Sequence, residues 1–346
     1  MEFYRKIIIL SIILLTSYML FRMLMNRWKI QAQTLAQNLP EKESFTEEYD
    51  ESTIEEPFIS GINIQNSANN KLSLSQYCVK GSFHTAYNRN TNKIDENQLS
   101  TIMSRGVRFV DLEVYSFGGN PVVGYCSKLN PDATVIESAN SPEDSTTLLS
   151  SIFKTINSSK PPSLTDPLFI HLRFKSKLPA FYTNVSKSIQ SAFQGVLFSG
   201  SIDFSKPLSE YKGKTIIVVD KANSTTNYQE YAGDLKELVN LETGTTSCSS
   251  TLHSTILNSR NNIIQTNTDN ETISIDDVAP TKWMVSMPNP MDTSNPDIKE
   301  IIPKHGVNVV LYRFDYDDDN LGKYESVFTN NAYVSFVNAL QNIKTL

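Results

Sequence analysis

Hydrophobic and polar positions divide the chain into three regimes. Ile7 to Phe21 is an almost unbroken apolar run, interrupted by Ser11, Thr16 and Ser17, with Tyr18 near its end. Arg5 and Lys6 precede it, and Arg22, Arg27, Trp28 and Lys29 follow. A helix crossing a bilayer core needs about 20 apolar residues. Phe3 and Tyr4 on one side, and Met23 to Met25 with a snorkelling Arg22 on the other, bring the run to that length. A cleaved signal peptide is the rival reading, but no small-x-small cleavage site follows the apolar run. The pattern therefore predicts an uncleaved transmembrane anchor over residues 1–30 and a single-pass membrane location. Its orientation is left open because both flanks are cationic. Residues 31–70 are polar and acidic: Glu41, Glu43, Glu47, Glu48, Asp50, Glu51, Glu55 and Glu56 face only Lys42. Such a stretch buries too little surface to order itself, and its like charges extend it into a tether.

From residue 71 to 346 short apolar runs alternate with amphipathic ones. Strands are predicted over Gln76–Ser82, Val107–Tyr115, Pro121–Tyr125, Pro167–Phe174, Thr215–Asp220, Trp283–Met287 and Val307–Phe314. Helices are predicted over Glu96–Ser104, Ser145–Ile156, Leu178–Phe193, Leu321–Phe328 and Ala332–Ile343. The alternation argues for a parallel α/β architecture, and the length suits a (β/α)8 barrel, for which about 250 residues is typical. Gly244–Asp276, rich in Asn, Thr and Ser, reads as a surface excursion.

Strand periodicity assigns side chains to faces. In Val107–Tyr115, Val110, Leu112 and Val114 suit a helix layer, which turns Asp111 and Glu113 toward a barrel lumen. In Pro167–Phe174 the apolar face leaves His171 and Arg173 opposite. Lys221 falls on the face of Thr215, Ile217 and Val219, and Arg313 shares a face with Asp315. If these faces converge, the mouth gathers two carboxylates, several cations and a histidine. Two adjacent buried acids need a cation nearby, which a metal or Arg173 would supply.

Composition narrows the function classes. The 346 residues carry a formal charge of −6, and 39% are hydrophobic; the pI is near 5.4 and the mean hydropathy −0.29. These values exclude a simple disordered chain, a multispanning membrane protein and a general nucleic-acid binder, which needs a basic excess. Much of the negative charge belongs to the tether. Cys78, Cys126 and Cys248 are too few and too scattered for a disulfide framework or a zinc ribbon. The sequons at Asn157, Asn184, Asn223 and Asn270 carry little weight in so Asn/Ser/Thr-rich a chain.

Five blocks, in order, resemble the catalytic X region of phosphatidylinositol-specific phospholipase C, most of all the phospholipase-C-like proteins of large DNA viruses and some algae. They are LSQYCVKGSFHTAYN (Leu74–Asn88), GVRFVDLEVYSFGGNPVVGYCS (Gly106–Ser127), DPLFIHLRFKSK (Asp166–Lys177), LSEYKGKTIIVVDK (Leu208–Lys221) and GVNVVLYRFDYDDDNLGKYESVF (Gly306–Phe328). The resemblance implies a distorted TIM barrel and phosphodiester cleavage by two histidines, with calcium in the eukaryotic enzymes. The family pattern, laid without gaps from Leu74, puts Phe83 at the first catalytic histidine and His84 at a metal-binding asparagine. A one-residue slip would restore His84 as the catalytic base. Asp111 and Glu113 fall where the family has Glu-x-Asp, a metal ligand and a base. Tyr125 takes the place of the second histidine, Arg173 that of a calcium-binding glutamate, and Arg313 that of an asparagine. Lys221 matches a lysine that holds the substrate phosphate.

Two functions follow as expectations. One is a membrane-tethered barrel without catalysis or cofactor, in which Arg173 replaces the calcium charge. Lys221, Arg313, Arg173 and His171 would then hold a phosphate-bearing head group, or the protein would serve as a structural or virion-surface component. The other is a working phosphoric diester hydrolase in which His84, Asp111, Glu113 and Tyr125 form the acid–base centre. His84, Asp111 and Glu113 would then bind calcium or another divalent cation. A glycosidase is disfavoured, because its two carboxylates come from different strands.

Overall fold

The computed structural model of the chain describes residues 72–125, 137–138, 145–159, 166–221, 228–230, 233–257, 283–329 and 331–346. The expected anchor and tether, Cys126, the sequons at Asn223 and Asn270, and residues 258–276 of the Asn/Thr/Ser-rich stretch lie outside them. Among the described residues no helix is long and apolar enough to cross a membrane.

Eight strands follow one another around a nearly closed barrel. They are β1 (Tyr77–Ser82), β2 (Phe109–Phe117), β3 (Leu168–Phe174), β4 (Thr215–Asp220), β5 (Leu241–Thr243), β6 (Cys248–Leu252), β7 (Trp283–Met287) and β8 (Val309–Tyr312). Each pairs in parallel with its neighbours in chain order, and β8 returns to β1 through the register Val79↔Val309. The exception is the joint between β5 and β6, which share no ladder. A parallel crossover ordinarily needs a dozen or more residues. Here residues 244–247 suffice, because the chain steps sideways from the ladder with β4 to the ladder with β7 and continues in the same direction.

The helices are α1 (Glu96–Ser104), α2 (Leu149–Ser158), α3 (Pro179–Phe193), α4 (Leu235–Leu238), α5 (His253–Leu257), α6 (Ile298–His305), α7 (Asp319–Val327) and α8 (Phe336–Lys344). They form because apolar residues recur at helical spacing, as in the buried Leu149, Ile152, Phe153 and Ile156 stripe of α2. Asp95, Asp297, Asp318 and Ser335 accept from backbone N–H groups in the first turns of α1, α6, α7 and α8. The expected helix over Ala332–Ile343 begins instead as a strand, Tyr333–Ser335, antiparallel to β1. The expected helix over Ser145–Ile156 likewise opens as Thr147–Leu148, paired with the hairpin strand Asn120–Val123. The expected surface excursion from Gly244 holds β6 and α5 over its described part.

Residues paired in a parallel ladder point the same way, so register fixes the lumen. Gly81, Phe109, Phe169 and Ile216 share a level. Phe109, Phe169 and Trp283 fill it, with ring centroids 5.2 to 6.1 Å apart. A Cβ on Gly81 would stand 2.7 Å from Leu311 Cδ2 and 3.0 Å from Val309 Cγ1, so glycine is what lets β1 pass this layer. Two residues further along β2 and β3 the lumen turns polar, at Asp111 and His171.

A guanidinium-filled barrel mouth

Asp111 is the hub of the polar layer, and its four lone-pair directions are all used. Oδ1 accepts from Arg173 Nε at 2.9 Å and from His171 Nδ1 at 2.8 Å. Oδ2 accepts from Arg173 Nη2 at 3.0 Å and from the His84 backbone N–H at 3.0 Å. That last bond holds His84 in a turn with φ +43°, a left-handed conformation rare outside glycine. Thr85 braces the same turn: its hydroxyl accepts from Asp111 N and donates to Ser82 O.

Glu113 lies one step nearer the mouth. Its Oε2 is 3.1 Å from His84 Nε2 and 3.9 Å from Arg173 Nη1, and its Oε1 is 3.8 Å from Lys175 Nζ. His84 Nε2 also stands 2.8 Å from Arg173 Nη2. All of these side chains except Lys175 are essentially buried, Arg173 being 3% exposed. Burial by itself would raise both carboxylates. The Arg173 charge, aided by the histidines, outweighs it, holding Asp111 far below the usual range and Glu113 at about 2. Burial, reinforced by Arg173, pushes His84 down to about 4, so the ring is neutral at pH 7. The Arg173 charge is itself deepened: burial opposes it, but Asp111 and Glu113 prevail.

The ionised Asp111 can only accept, so His171 Nδ1 donates to it, which leaves Nε2 facing Thr243 Oγ1 at 3.1 Å and Asp220 Oδ2 at 3.7 Å. Ser250 Oγ of β6 donates to the same Asp220 oxygen at 3.0 Å. The polar layer thus runs across the lumen to the strands on both sides of the unladdered joint.

Phe83 lies between two cations, its ring centre 4.9 Å from the Arg173 guanidinium and 5.4 Å from that of Arg313. Arg313 donates through Nη2 to the carbonyls of Asn289 and Pro290 and to Tyr125 OH, each within 2.9 Å. Tyr125 stacks on His84 with centroids 3.7 Å apart and donates to Pro290 O. Burial raises its hydroxyl well above the ordinary tyrosine value.

Of the residues singled out in the sequence, His84, Asp111, Glu113, Tyr125, His171, Arg173 and Arg313 therefore meet at one end of the barrel. Lys221 does not. Ile216, Val218 and Asp220 face the lumen, so the face of Thr215, Ile217 and Val219 points outward, and Lys221 pairs with Glu242 at 3.3 Å. Both faces of β4 are apolar, and periodicity could not choose between them. Asp220 was missed for the same reason, and Thr243 and Ser250 because their short strands were not predicted at all. Lys175, two residues beyond Arg173, was within reach of the period-two argument.

A divalent cation between Asp111 and Glu113 would need open carboxylate lone pairs. Arg173, His171 and the His84 backbone occupy all those of Asp111, and the central donor is itself a cation. The residues present do not fit such an ion, and among the described residues no cluster of three or more His, Cys, Asp or Glu forms a metal site.

No family model matches the sequence, and no curated protein matches it. Among solved structures, the chain is similar to PLC21 of L. pealei at 15% identity and a TM-score of 0.54, over 80% of this chain and 37% of that one. It is similar to PLC21 of S. officinalis at 15% identity and a TM-score of 0.51, with the same coverages. The matched region is thus well under half the length of either structure. This likeness shows the fold alone: the expected distorted barrel is the one these two structures share with the chain.

Proposed function

We propose that the chain is a membrane-tethered barrel that has kept the phospholipase-C-like framework without its hydrolytic centre, and that it serves as a structural or surface component of a membrane or virion. One observation carries this reading: the Arg173 guanidinium forks onto both oxygens of Asp111, where a divalent cation would have to sit. A cation supplied by the chain neutralises the two acids but offers no exchangeable coordination site to a phosphate oxygen. Tyr125, with its proton held tightly, is a poor acid or base at neutral pH.

The head-group variant of this reading has less support. The Arg313 donor Nη2 is spent on two carbonyls and a phenol, and Lys221 is paired with Glu242. Anchoring at a membrane rests on the apolar run Ile7 to Phe21 and its cationic flanks.

Incubating the full chain with phosphatidylinositol vesicles and with a generic phosphodiester, in calcium, magnesium, manganese or zinc, tests the proposal. No turnover is expected. Turnover abolished by His84→Ala and by Asp111→Asn would establish the alternative, an active phosphoric diester hydrolase, for which the 3.1 Å contact between His84 and Glu113 is the supporting geometry. A rise in melting temperature with soluble inositol phosphates would restore the head-group role.

A further inference from the structure

Among the described residues no helix lies between β5 and β6, and the outer face of β5 is covered in part by Tyr228 and Gln229. A cleft of about 730 Å3 lies over it, a volume typical of small-molecule sites. Glu242 is central to the cleft. It points away from Thr243, its lumen-facing neighbour, and its carboxylate is fixed by three donors: Tyr228 OH at 2.6 Å, Gln229 Nε2 at 2.5 Å and Lys221 Nζ at 3.3 Å. Asp203 adds a second carboxylate to the lining, and Lys236 a cation with no partner among the described residues. Exposed Ser201 and Ser247 add hydroxyls, that of Ser247 lying 3.3 Å from Thr245 Oγ1, and Thr245 and Asn240 also line the cleft.

Charge and hydrogen-bonding capacity narrow the ligand. Asp203 and Glu242 are balanced by Lys236 and Lys221, so there is no net positive field for a phosphate and two carboxylates to repel one. A bare cation would find Glu242 already committed to three donors. Fixed acceptors interleaved with the Lys236 ammonium and with hydroxyls suit groups that both donate and accept, which is the property of an alcohol. We propose that this cleft binds a neutral polyhydroxylated molecule of sugar size, separately from the barrel mouth and whatever the mouth does.

The test is saturation-transfer NMR on the full chain in a detergent lacking a sugar head group, with glucose, galactose, mannose, maltose and lactose as probes. At least one sugar is expected to receive magnetisation. Ser247→Trp and Ser201→Trp, which fill the cleft from two exposed positions, are each expected to abolish the signal while leaving the melting temperature in place. Glu242→Ala is expected to weaken binding about tenfold, and Lys304→Met, remote and exposed, to change nothing. The proposal is overturned if no sugar shows transfer, if transfer survives both tryptophan variants, or if sugar phosphates bind more tightly than their neutral counterparts.

Discussion

Replacing Arg173 by methionine keeps most of the side-chain volume and removes the charge. It deprives Asp111 of two charge-assisted hydrogen bonds, of 2.9 and 3.0 Å, and leaves two fully buried carboxylates without their shared cation. Breaking a buried pair by deleting one partner costs about 3–5 kcal/mol, because the remaining charge stays desolvated. For a domain of this size each kcal/mol corresponds to roughly 2–4 °C, so the melting temperature should fall by about 6–20 °C. Thermal and urea denaturation of the full chain at pH 7 measure this. Arg173→Lys, which keeps the charge but loses the planar fork, should fall between. The double variant Arg173→Met/Asp111→Asn should recover part of the loss, since one of the stranded charges is gone. Lys304→Met gives the contrast: its partner Glu300 lies one turn away, and both are about half exposed, so a change within about 0.5 kcal/mol is expected. A cost below about 1 kcal/mol for Arg173→Met would refute the claim that this guanidinium stands in for a metal charge, because the acids would then have another source of stabilisation.

Acid should destabilise the fold in two stages. His84, held at about 4 against an unfolded value near 6.5, binds fewer protons folded than unfolded in that window, so stability present above pH 6.5 is lost as pH falls toward 4. Glu113, lowered from 4.5 to about 2, has the same sign and extends the loss toward pH 2. His84→Gln should flatten the upper part of a melting-temperature profile, only partly because the buried His253, held at about 3, acts in the same direction. Gly81→Ala should cost about 1–3 kcal/mol in urea denaturation by overpacking against Leu311 and Val309, and Leu311→Ala in the same chain should relieve part of that. Adding calcium in millimolar amounts, or removing it with a chelator, should leave the wild-type melting temperature unchanged, whereas a calcium-dependent rise would show that the ion displaces Arg173 from Asp111.

Much of this site was legible because strand parity is a strict rule. The alternation in Val107–Tyr115 and Pro167–Phe174 placed Asp111, Glu113, His171 and Arg173 on lumen-facing positions, and the ladder Asp111↔His171, Glu113↔Arg173 brings them side by side. Parity failed where it carried no contrast, as in Thr215–Asp220, whose two faces are equally apolar. The strand Cys248–Leu252, of sequence CSSTL, has little of the β-branched and aromatic character that marks a strand, and it is held by its ladder to Trp283–Met287 and not by propensity. Helix α6 was obscured by Pro303 in its last turns, a residue that ordinarily argues against helix. The turn at His84 could not have been foreseen, because its left-handed backbone depends on a carboxylate 27 residues away.

The joint between β5 and β6 means that this ring has ends. Seven ladders join eight strands, so in hydrogen-bonding terms the molecule is a rolled sheet whose margins are fastened by a button, Ser250 of β6 to Asp220 of β4, and not by a seam. Unrolling has a defined starting place. Backbone amides of β5 and β6 should exchange with solvent before those of β2 and β3, which are laddered on both sides. A protease cut within residues 244–247 would leave every ladder intact, whereas a cut within any strand would not.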